Sequence, residues 1–325
     1  METGQIITLG EKILEGYQIN HQEALSLTYV EDADIPLLAA YANKIRLKIA
    51  GKNVDMCGII NARSGMCSED CKFCAQSVYH AANSPAYPLL DRKELLVHAK
   101  KIEEMGAKRV SLVTSGKGMQ GDSDFEKILD TITLIMKSTS LKVCANLGTL
   151  DFEQAQLLAA AGVKRYAHNL ETSKRYYPDI CTTHPYEERL ETILAAKKAG
   201  LELCCGGIVG MGETWADRLD LAFALRELGA ESIPVNILNP LKGTALEDIT
   251  PPRPLEILKI FAIFRFILPS RVIRPAGGRE INLRDMQGAV MLGGANGLII
   301  GNYLTFSGRN SAGDFQMVHD AGLLP

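Results

Sequence analysis

Short apolar runs and longer amphipathic stretches alternate along the chain from Val54 onward. In the longer stretches apolar residues recur at three- and four-residue spacing, which predicts helices, and the short runs between them predict strands. The predicted strands are Val54–Ala62, Arg109–Thr114, Leu141–Asn146, Val163–Leu170, Leu201–Val209, Ser232–Leu238, Arg271–Arg274 and Gly297–Ile300. The predicted helices are Asp91–Met105, Phe125–Met136, Asp151–Ala161, Pro185–Ala199, Trp215–Leu228, Leu255–Ile267 and Leu283–Leu292.

Eight strands, each separated from the next by a helix, favour an α/β fold of the closed (β/α)8 TIM-barrel type over an open doubly wound sheet. The first 50 residues instead have apolar positions at helical spacing, with Asp34 placed to cap the longer helix and Pro36 in its first turn. We therefore expect an N-terminal helical cap over residues 1–50. Residues 51–325 are expected to form the barrel and a C-terminal extension, as one structural domain.

Composition and charge narrow the class of protein. The net charge of −3 provides no basic surface for nucleic acid or for an anionic membrane. Met1–Gly10 lacks a cationic start followed by an apolar run, so we expect no secretory signal, and the apolar stretch Ile257–Leu268 is too short to span a bilayer. We therefore expect a cytoplasmic protein with reduced cysteines, which favours metal ligands over disulfides.

Three of the eight cysteines lie within eight residues, Cys67, Cys71 and Cys74, with the spacing CxxxCxxC. Half of a zinc site is one interpretation, but a structural zinc site needs four ligands and no second CxxC or HxxxH pair follows. Iron–sulfur clusters also usually take four cysteines. A cluster held by three cysteines leaves one iron open to a ligand that is not protein.

This spacing, with Phe73 before the last cysteine, resembles the signature of the radical S-adenosylmethionine (radical SAM) enzymes. In that superfamily a 4Fe–4S cluster binds S-adenosylmethionine through its open iron. A second motif, Gly206–Glu213, resembles the superfamily's GxIxGxxE pattern, in which Ile208 would pack against the adenine. A glycine-rich segment alone also fits a phosphate-binding loop or a tight turn, but this one falls on the fifth predicted strand, as the pattern requires.

From about Ile49 to Gly308 the chain resembles the biotin synthase family of radical SAM enzymes. The resemblance rests on unusual strings that are distributed through the predicted barrel. These strings are Ile59–Gly65, Ala75–Ser77, Leu147–Leu150, His168–Ser173, Thr182–Thr183, Tyr186–Arg189, Gly206–Thr214, Ser232–Asn236, Gly243–Thr244 and Gly278–Glu280.

The resemblance implies a sulfurtransferase that inserts sulfur between two unactivated C–H positions of dethiobiotin to make biotin. The cluster at Cys67, Cys71 and Cys74 would cleave S-adenosylmethionine, and the 5′-deoxyadenosyl radical would abstract hydrogen from a carbon that then meets a sulfide of an auxiliary cluster. It also implies a flavodoxin- or ferredoxin-type electron donor and a homodimer.

Family members commonly hold a 2Fe–2S auxiliary cluster with three cysteines and one arginine. Cys144 and Cys204 match two of the cysteines and Arg274 matches the arginine, but Ser111 stands where the third cysteine belongs. A serine hydroxyl is a harder and poorer iron ligand than a thiolate. We therefore expect a modified auxiliary cluster, bound by Cys144, Cys204 and at least one further cysteine.

Three other cysteines are candidates for that further ligand. Cys57 lies on the first predicted strand and either points inward as a ligand or is a buried structural cysteine. Cys205 adjoins Cys204, and because neighbouring residues on a strand point to opposite faces, we expect it to face the helices. Cys181 follows the fourth predicted strand, and we expect it to be unliganded.

The resemblance also implies contacts to S-adenosylmethionine and substrate. Asn169 and Glu171 match a family Asn–Asp pair that binds ribose hydroxyls and the ureido ring, although a further family asparagine is Ala167 here. Asn236 matches another polar contact. Arg189 matches a pocket arginine, with an exposed helix arginine as the alternative reading.

His168 should lie on the strand face opposite Asn169, so we expect a structural histidine with satisfied hydrogen bonds. Two other functions remain open from the sequence. One is a relative with the same barrel, similar to hydrogenase maturases or methylornithine synthases, and the other is an iron–sulfur electron carrier. The S-adenosylmethionine motifs on the fourth and fifth strands argue against a carrier.

Overall fold

The computed structural model of the chain describes residues 3–119 and 123–325. Nine strand segments fill eight positions of a parallel sheet, because two of the segments are halves of one strand interrupted at Cys205–Gly206. The strands are β1 (Asp55–Arg63), β2 (Arg109–Thr114), β3 (Lys142–Asn146), β4 (Arg165–Ala167), β5 (Glu202–Cys204), β6 (Gly207–Val209), β7 (Ser232–Ile237), β8 (Val272–Pro275) and β9 (Gly297–Ile299).

Helices follow the strands as expected for a TIM-type barrel. They are α4 (Arg92–Glu104), α5 (Asp124–Ser138), α6 (Phe152–Ala160), α7 (Tyr186–Lys198), α8 (Trp215–Leu228), α9 (Pro254–Ile267), α10 (Arg279–Leu283), α11 (Gln287–Leu292) and α12 (Ser311–Asp320). The predicted helix Leu283–Leu292 instead begins at the last residue of α10 and continues as a 3₁₀ turn, Arg284–Met286, and then as α11. Arg284, the first residue of that turn, has φ of 49°.

The sheet runs from β6 and β7 through β5, β4, β3, β2 and β1 to β9, with β8 against β7. Asn296 joins the seam between β8 and β9, since its backbone N donates to Ile273 O at 3.0 Å and its Oδ1 accepts from Ile273 N at 2.9 Å. The structure thus confirms the predicted eight-position barrel class.

Strand β4 ends earlier than predicted, at Ala167 rather than Leu170. Beyond it the backbone turns towards the gap in the fifth strand position, where Leu170 N and Glu171 N both donate to Gly206 O. Glu171 is left-handed, with φ of 69°, so it cannot continue a strand. Gly206 has no room for a side chain, because a Cβ there would lie 1.9 Å from Pro234 O.

Three α-helices of the described residues precede the barrel: α1 (Thr3–Leu14), α2 (His21–Leu27) and α3 (Ile35–Ile45). A 3₁₀ turn, Asp32–Asp34, precedes α3, and a π-helical turn, Arg46–Ala50, follows it. They pack against α8, α9 and α11. Buried Lys259 of α9 ties this segment down, since its ammonium donates to Thr28 O at 2.5 Å and Val30 O at 2.6 Å. Over residues 3–119 and 123–325, no helix is both long and apolar enough to cross a membrane.

Candidate active site

The Cys67–Cys74 loop leaves the barrel at the carboxyl end of β1, where chemistry sits in TIM-type barrels. Gln76 braces its base: the side-chain Oε1 accepts from Ser64 Oγ at 3.0 Å and Gly65 N at 2.9 Å, and its carbonyl accepts from Cys67 N at 3.0 Å. Within the loop, Cys74 N donates to Cys71 O at 2.9 Å. These bonds fold the three cysteines onto one side of the loop.

A cavity of about 180 Å³ lies over this side of the loop. Cys67, Cys71 and Cys74 line it together, and Phe73 contributes its ring. Burial raises the pKa of Cys74 to about 11, so this cysteine is a protonated thiol in the metal-free chain. Metal binding must therefore displace its proton.

The opposite wall of the cavity carries Asn169, Glu171 and Arg189. Asn169 Nδ2 donates to Glu171 Oε2 at 3.3 Å, and Arg189 Nη1 lies 3.6 Å from Glu171 Oε1. Burial raises the pKa of Glu171 above its ordinary value, and the nearby guanidinium of Arg189 opposes this rise. Arg189 is buried, and its Nε donates to Tyr177 OH at 2.7 Å, so the alternative of an exposed helix arginine is wrong.

A second cavity, of about 230 Å³, adjoins the first and shares Phe73 and Cys74 with it. Ile208 of β6 and Asn236 of β7 line this second cavity. The side chain of Asn236 connects β6 to the segment that follows β8. Its Oδ1 accepts from Gly277 N at 2.9 Å, and its Nδ2 donates to Gly207 O at 3.3 Å. All six residues predicted from the sequence to contact cofactor or substrate thus line one or other of two contiguous cavities.

The last residue of the glycine-rich motif shapes the cavity wall. Glu213 is buried, and its carboxylate accepts from Gly210 N at 2.8 Å and Met211 N at 2.7 Å. Arg218 Nε donates to the same carboxylate at 2.7 Å. Glu213 therefore fixes the turn after β6 and leaves Ile208 to line the second cavity.

His168 contradicts the expectation of a satisfied structural histidine. It is buried and lines the first cavity beside Asn169, and its Nε2 has no hydrogen-bond partner within the described part of the chain. The prediction assumed a continuous strand with alternating faces. Because β4 ends at Ala167, His168 and Asn169 follow a turning backbone and both reach the cavity.

A second group of candidate ligands, made of thiol and guanidinium side chains, lies deeper in the lumen. Cys144 on β3 is two residues before Asn146, which lines the upper cavity, so the two differ in height by about 7 Å along the strand. Ser111 on β2 pairs in register with Cys144, and Arg274 on β8 pairs with Pro234 of β7. The lower group thus occupies a layer beneath the cavity.

Cys57 points into this layer. Its thiol lies in the electrostatic field of Arg274, Asp55 and Cys204, and Cys144 is in turn affected by Cys57 and Cys204. Burial raises the pKa of Cys57 to about 11 and that of Cys144 to about 12. The lumen therefore brings together three thiols from three strands, with the hydroxyl of Ser111 at the position where the family pattern has a cysteine.

Cys205 behaves as predicted from strand alternation. It is 1% exposed and belongs to the apolar core, and its sulfur lies near Tyr186 of α7. Cys205 and Cys57 are thus both buried cysteines. The thiols that act electrostatically on Cys144 are Cys57 and Cys204, whereas Cys205 is affected by Cys204, Glu171 and Arg189.

Asp55 organises the charge of the lower layer, and it was not among the residues predicted to form the site. Its Oδ2 lies 3.1 Å from Arg109 Nε and 3.5 Å from Arg165 Nη1, and its Oδ1 lies 3.2 Å from Arg274 Nη2. Burial would raise the pKa of Asp55, but these guanidiniums together hold it below the ordinary value. Glu202, on the edge of the group, lies 2.9 Å from Arg165 Nη2.

Several buried donors in this layer lack hydrogen-bond partners within the described residues. They are Arg274 Nε, Arg109 Nη1 and the Ser111 hydroxyl. Buried polar groups are normally paired, and an unpaired cluster of them points to a missing partner. Three guanidiniums against two carboxylates leave a positive excess beside three thiols. This combination fits an anionic iron–sulfur cluster and does not fit a neutral organic ligand.

Sequence reasoning also missed His184 and Glu69, which lie at the base of the Cys67–Cys74 loop. His184 Nδ1 lies 2.6 Å from Glu69 Oε2 and 3.3 Å from Cys181 Sγ. Glu69 is inside the CxxxCxxC motif, and His184 follows the matched string Thr182–Thr183. Only this closeness to the family motifs could have marked the two residues as site residues from the sequence. Only the fold shows that the two loops touch.

Comparisons with known proteins agree with this geometry. Residues 62–225 match the Radical SAM superfamily, and residues 234–324 match the Biotin and Thiamin Synthesis associated domain. Among solved structures, a methylornithine synthase has a TM-score of 0.85 at 19% identity, covering 98% of this chain and 97% of that chain. A maturase of the [FeFe]-hydrogenase also has a TM-score of 0.85 at 19% identity, covering 100% of this chain and 76% of that chain. At such low identity these two likenesses concern the fold alone.

Full-length sequence relatives are much more similar. The biotin synthase of Carboxydothermus hydrogenoformans is 51% identical over 98% of this chain and 98% of its own length. That of Clostridium acetobutylicum is 51% identical over 98% and 97%, and that of Geobacter metallireducens is 45% identical over 97% and 96%. The chain belongs to the biotin synthase family of the radical SAM superfamily.

Proposed function

We propose that this chain is an enzyme that converts dethiobiotin to biotin by radical insertion of sulfur. The observation that carries the proposal is the stacking of two sulfur-rich ligand sets in one barrel. Cys67, Cys71 and Cys74 line the upper cavity, and the thiols of Cys57, Cys144 and Cys204 lie one layer deeper, beside Arg274. A substrate between the layers would have a radical source above it and a sulfur source below it.

The chemistry requires two such sources. The carbons to be joined to sulfur carry no acidic hydrogen, so a general base cannot activate them. When bound, S-adenosylmethionine and the two clusters supply the electron, the 5′-deoxyadenosyl radical and the sulfide that replace two C–H bonds by C–S bonds. The protein supplies placement and the exclusion of side reactions.

In the upper layer, Cys67, Cys71 and Cys74 would hold the 4Fe–4S cluster and leave one iron for S-adenosylmethionine. Phe73, Ile208 and Asn236 line the second cavity, which suits the adenine, since one wall is apolar and one carries an amide. Asn169 and Glu171 present an amide and a carboxylate for ribose hydroxyls and the ureido ring. Arg189 keeps Glu171 oriented, at 3.6 Å from its Oε1.

In the lower layer, Cys57 takes the place that Ser111 leaves open. Cys57, Cys144 and Cys204 would provide thiolates, and Arg274 would face the cluster with its Nε, which has no hydrogen-bond partner among the described residues. Arg109 and Arg165 would offset the negative charge of the cluster from below. Such a ligand set suits an auxiliary cluster that differs from an ordinary 2Fe–2S centre.

We further propose that a flavodoxin- or ferredoxin-type protein supplies the electrons, since each cleavage of S-adenosylmethionine needs one electron at low potential. We also propose a homodimer in the reducing environment of the cytoplasm. Electron transfer from a purified flavodoxin, and light scattering of the eluting protein, test these two points separately.

The decisive experiment reconstitutes the chain anaerobically and supplies dethiobiotin, S-adenosylmethionine and a reductant. We expect both 5′-deoxyadenosine and biotin. Formation of 5′-deoxyadenosine without biotin would reject the substrate and retain the superfamily. Cys71→Ala is expected to abolish both products, whereas Cys205→Ala, which changes a core cysteine outside both layers, is expected to retain both.

A further inference from the structure

Behind the Cys67–Cys74 loop lies a group of side chains with no part in the proposed reaction. Cys181 and His184, in the segment between β4 and α7, approach Cys71, with His184 on the wall of the upper cavity and Cys181 outside its lining. Cys71 Sγ lies 3.7 Å from Cys181 Sγ, and Cys181 Sγ lies 3.3 Å from His184 Nδ1 and 3.8 Å from Nε2. Among the described residues lining that cavity, Cys71 and His184 are present but Cys181 is not.

The spacing of these ligand atoms is that of a tetrahedral metal site. Zinc–sulfur bonds of about 2.3 Å and zinc–nitrogen bonds of about 2.0 Å place tetrahedral sulfurs roughly 3.8 Å apart, and sulfur and nitrogen roughly 3.5 Å apart. With Nε2 as the ligating atom, the Cys71 Sγ–Cys181 Sγ distance of 3.7 Å and the Cys181 Sγ–His184 Nε2 distance of 3.8 Å lie close to these values. One ligand atom from each of the three buried residues lies within 4.8 Å of the others.

The surroundings orient the histidine as a metal ligand. Glu69 Oε2 lies 2.6 Å from His184 Nδ1, so a proton on Nδ1 is donated to the carboxylate and the lone pair is left on Nε2. A carboxylate behind a ligating histidine is the usual support of a metal site. Tyr177 packs edge-on against the imidazole, with ring centroids 6.0 Å apart.

The segment that carries Cys181 is also held firmly. Asp70 Oδ1 accepts from Thr182 N at 2.9 Å and from Thr183 N at 3.1 Å. Lys72 N donates to Ile180 O at 2.9 Å. These bonds dock the two loops together without a metal, so the three ligands are preorganised and little conformational entropy is lost on binding.

We propose that Cys71, Cys181 and His184 form a binding site for one thiophilic divalent cation, Fe²⁺ or Zn²⁺, in the chain before its iron–sulfur cluster is assembled. Cys71 is shared with the proposed cluster site, so single-ion binding and cluster assembly compete for it. Iron in this site would place one metal ion beside Cys67 and Cys74. Zinc would block the same thiolate, and it binds such sites more tightly than Fe²⁺.

Co²⁺ provides the first test, because its tetrahedral thiolate complexes absorb in the visible region. The full chain, purified without cluster and kept reduced, is expected to bind one Co²⁺ with thiolate-to-metal bands, and Zn²⁺ should displace it. Cys181→Ala and His184→Ala should lose these bands, whereas Cys67→Ala and Cys74→Ala should keep them. The opposite pattern, dependence on Cys67 and Cys74 with no effect of Cys181→Ala, would overturn the proposal, because it would show the CxxxCxxC loop chelating alone.

Cys205→Ala is the matched control, since it removes a buried cysteine that lies in the apolar core. Circular dichroism of each variant checks folding, and Cys181→Ser is used if Cys181→Ala unfolds. Glu69→Gln keeps all three ligands but changes the group behind His184, so we expect Co²⁺ affinity to fall about 10- to 100-fold. Unchanged affinity in Glu69→Gln would contradict His184 as a ligand.

Cluster assembly provides the second test. Preincubation with one equivalent of Zn²⁺ should slow iron incorporation into the wild-type chain, and Cys181→Ala should lose most of this inhibition. Equal inhibition of both would contradict the shared site. Both tests use the chain without substrate, so their outcomes do not depend on whether the enzyme converts dethiobiotin.

Discussion

Arg274 Nη2 on β8 lies 3.2 Å from Asp55 Oδ1 on β1, deep in the barrel lumen. The same carboxylate also lies within 3.5 Å of Arg109 and Arg165, so one acidic group is shared by three guanidiniums. Arg274 is 2% exposed, and removing one partner of such a buried pair leaves uncompensated charge.

Asp55→Asn is therefore expected to destabilise the cluster-free chain by about 3–5 kcal/mol, measured by reversible denaturant unfolding under reducing conditions. Asp32→Asn is the control, because its 3.0 Å pair with Arg253 is exposed and should contribute less than about 1 kcal/mol. Similar losses in the two variants would show that Asp55 does not hold the lumen together.

Substitution of single cysteines distinguishes a cysteine of the lumen that would bind the auxiliary cluster from a cysteine that packs in the apolar core. Cys57→Ala should lower the iron and sulfide content of the auxiliary site, because it removes one of the three lumen thiols. Cys205→Ala should leave that content at the wild-type level. Metal analysis with Mössbauer spectroscopy makes the measurement, and a wild-type auxiliary signal in Cys57→Ala would remove Cys57 from the ligand set.

Ser111→Cys restores a thiol at the position where family members commonly have one. Ser111 pairs in register with Cys144, and its hydroxyl is buried without a hydrogen-bond partner within the described residues. Replacing this hydroxyl by a thiol therefore breaks no hydrogen bond there. We expect the auxiliary spectrum to shift towards that of an ordinary 2Fe–2S cluster. Ser111→Ala is the matched control and should leave the spectrum unchanged; identical spectra in both variants would argue that residue 111 lies outside the cluster's reach.

The strand positions of the barrel were predictable because each short apolar run is isolated by a helix. The interruption of the fifth strand position and the early end of β4 were not. They depend on the left-handed Glu171 and on two amides that converge on Gly206 O, which are tertiary contacts. Likewise, Arg284 ends α10 through a backbone angle that no residue pattern predicts, so the first turn of the last predicted helix is 3₁₀ rather than α-helical.

In the candidate site, too, some residues were predictable from the sequence and others depend on tertiary contacts. Cys67, Cys71 and Cys74 were visible because they are neighbours in sequence, and the family strings located Asn169 and Asn236. The inward direction of Cys57 depends on the register of β1 against β2, where Cys57 pairs with Arg109. The Asp55 charge group and the contact of Cys181 with Cys71 form only when strands and loops distant in sequence meet in the folded chain, so no local pattern contains them.

Glu171→Gln tests the proposed ribose contact. It removes the charge of a buried carboxylate that faces the cavity and keeps the size of the side chain. Since hydrogen bonds to charged groups contribute about 1.5–3 kcal/mol, we expect S-adenosylmethionine to bind the cluster-loaded enzyme roughly 10- to 100-fold more weakly, by equilibrium dialysis. Glu187→Gln, on an exposed helix residue paired with Lys174, should bind normally, and equal affinity of both variants would exclude Glu171 from the site.

Asp217 makes part of the stability depend on pH. Its carboxylate accepts from Ser173 Oγ at 2.6 Å, Arg175 Nε at 2.9 Å and Thr214 N at 2.9 Å, where it caps the start of α8. Burial opposes ionisation, but these partners hold the pKa of Asp217 below its ordinary value. A lowered folded-state pKa adds stability that is fully present above the unfolded-state pKa of about 3.9 and is lost as the pH falls through the folded-state pKa.

We therefore expect the free energy of unfolding of the cluster-free chain to fall as the pH is lowered below about 5, with a shallower fall in Asp217→Asn because its amide does not titrate. Ser173→Ala removes one of the stabilising donors and should give an intermediate slope. Denaturant unfolding between neutral pH and the acid limit measures all three curves. Parallel curves for wild type and Asp217→Asn would mean that other carboxylates govern the acid transition.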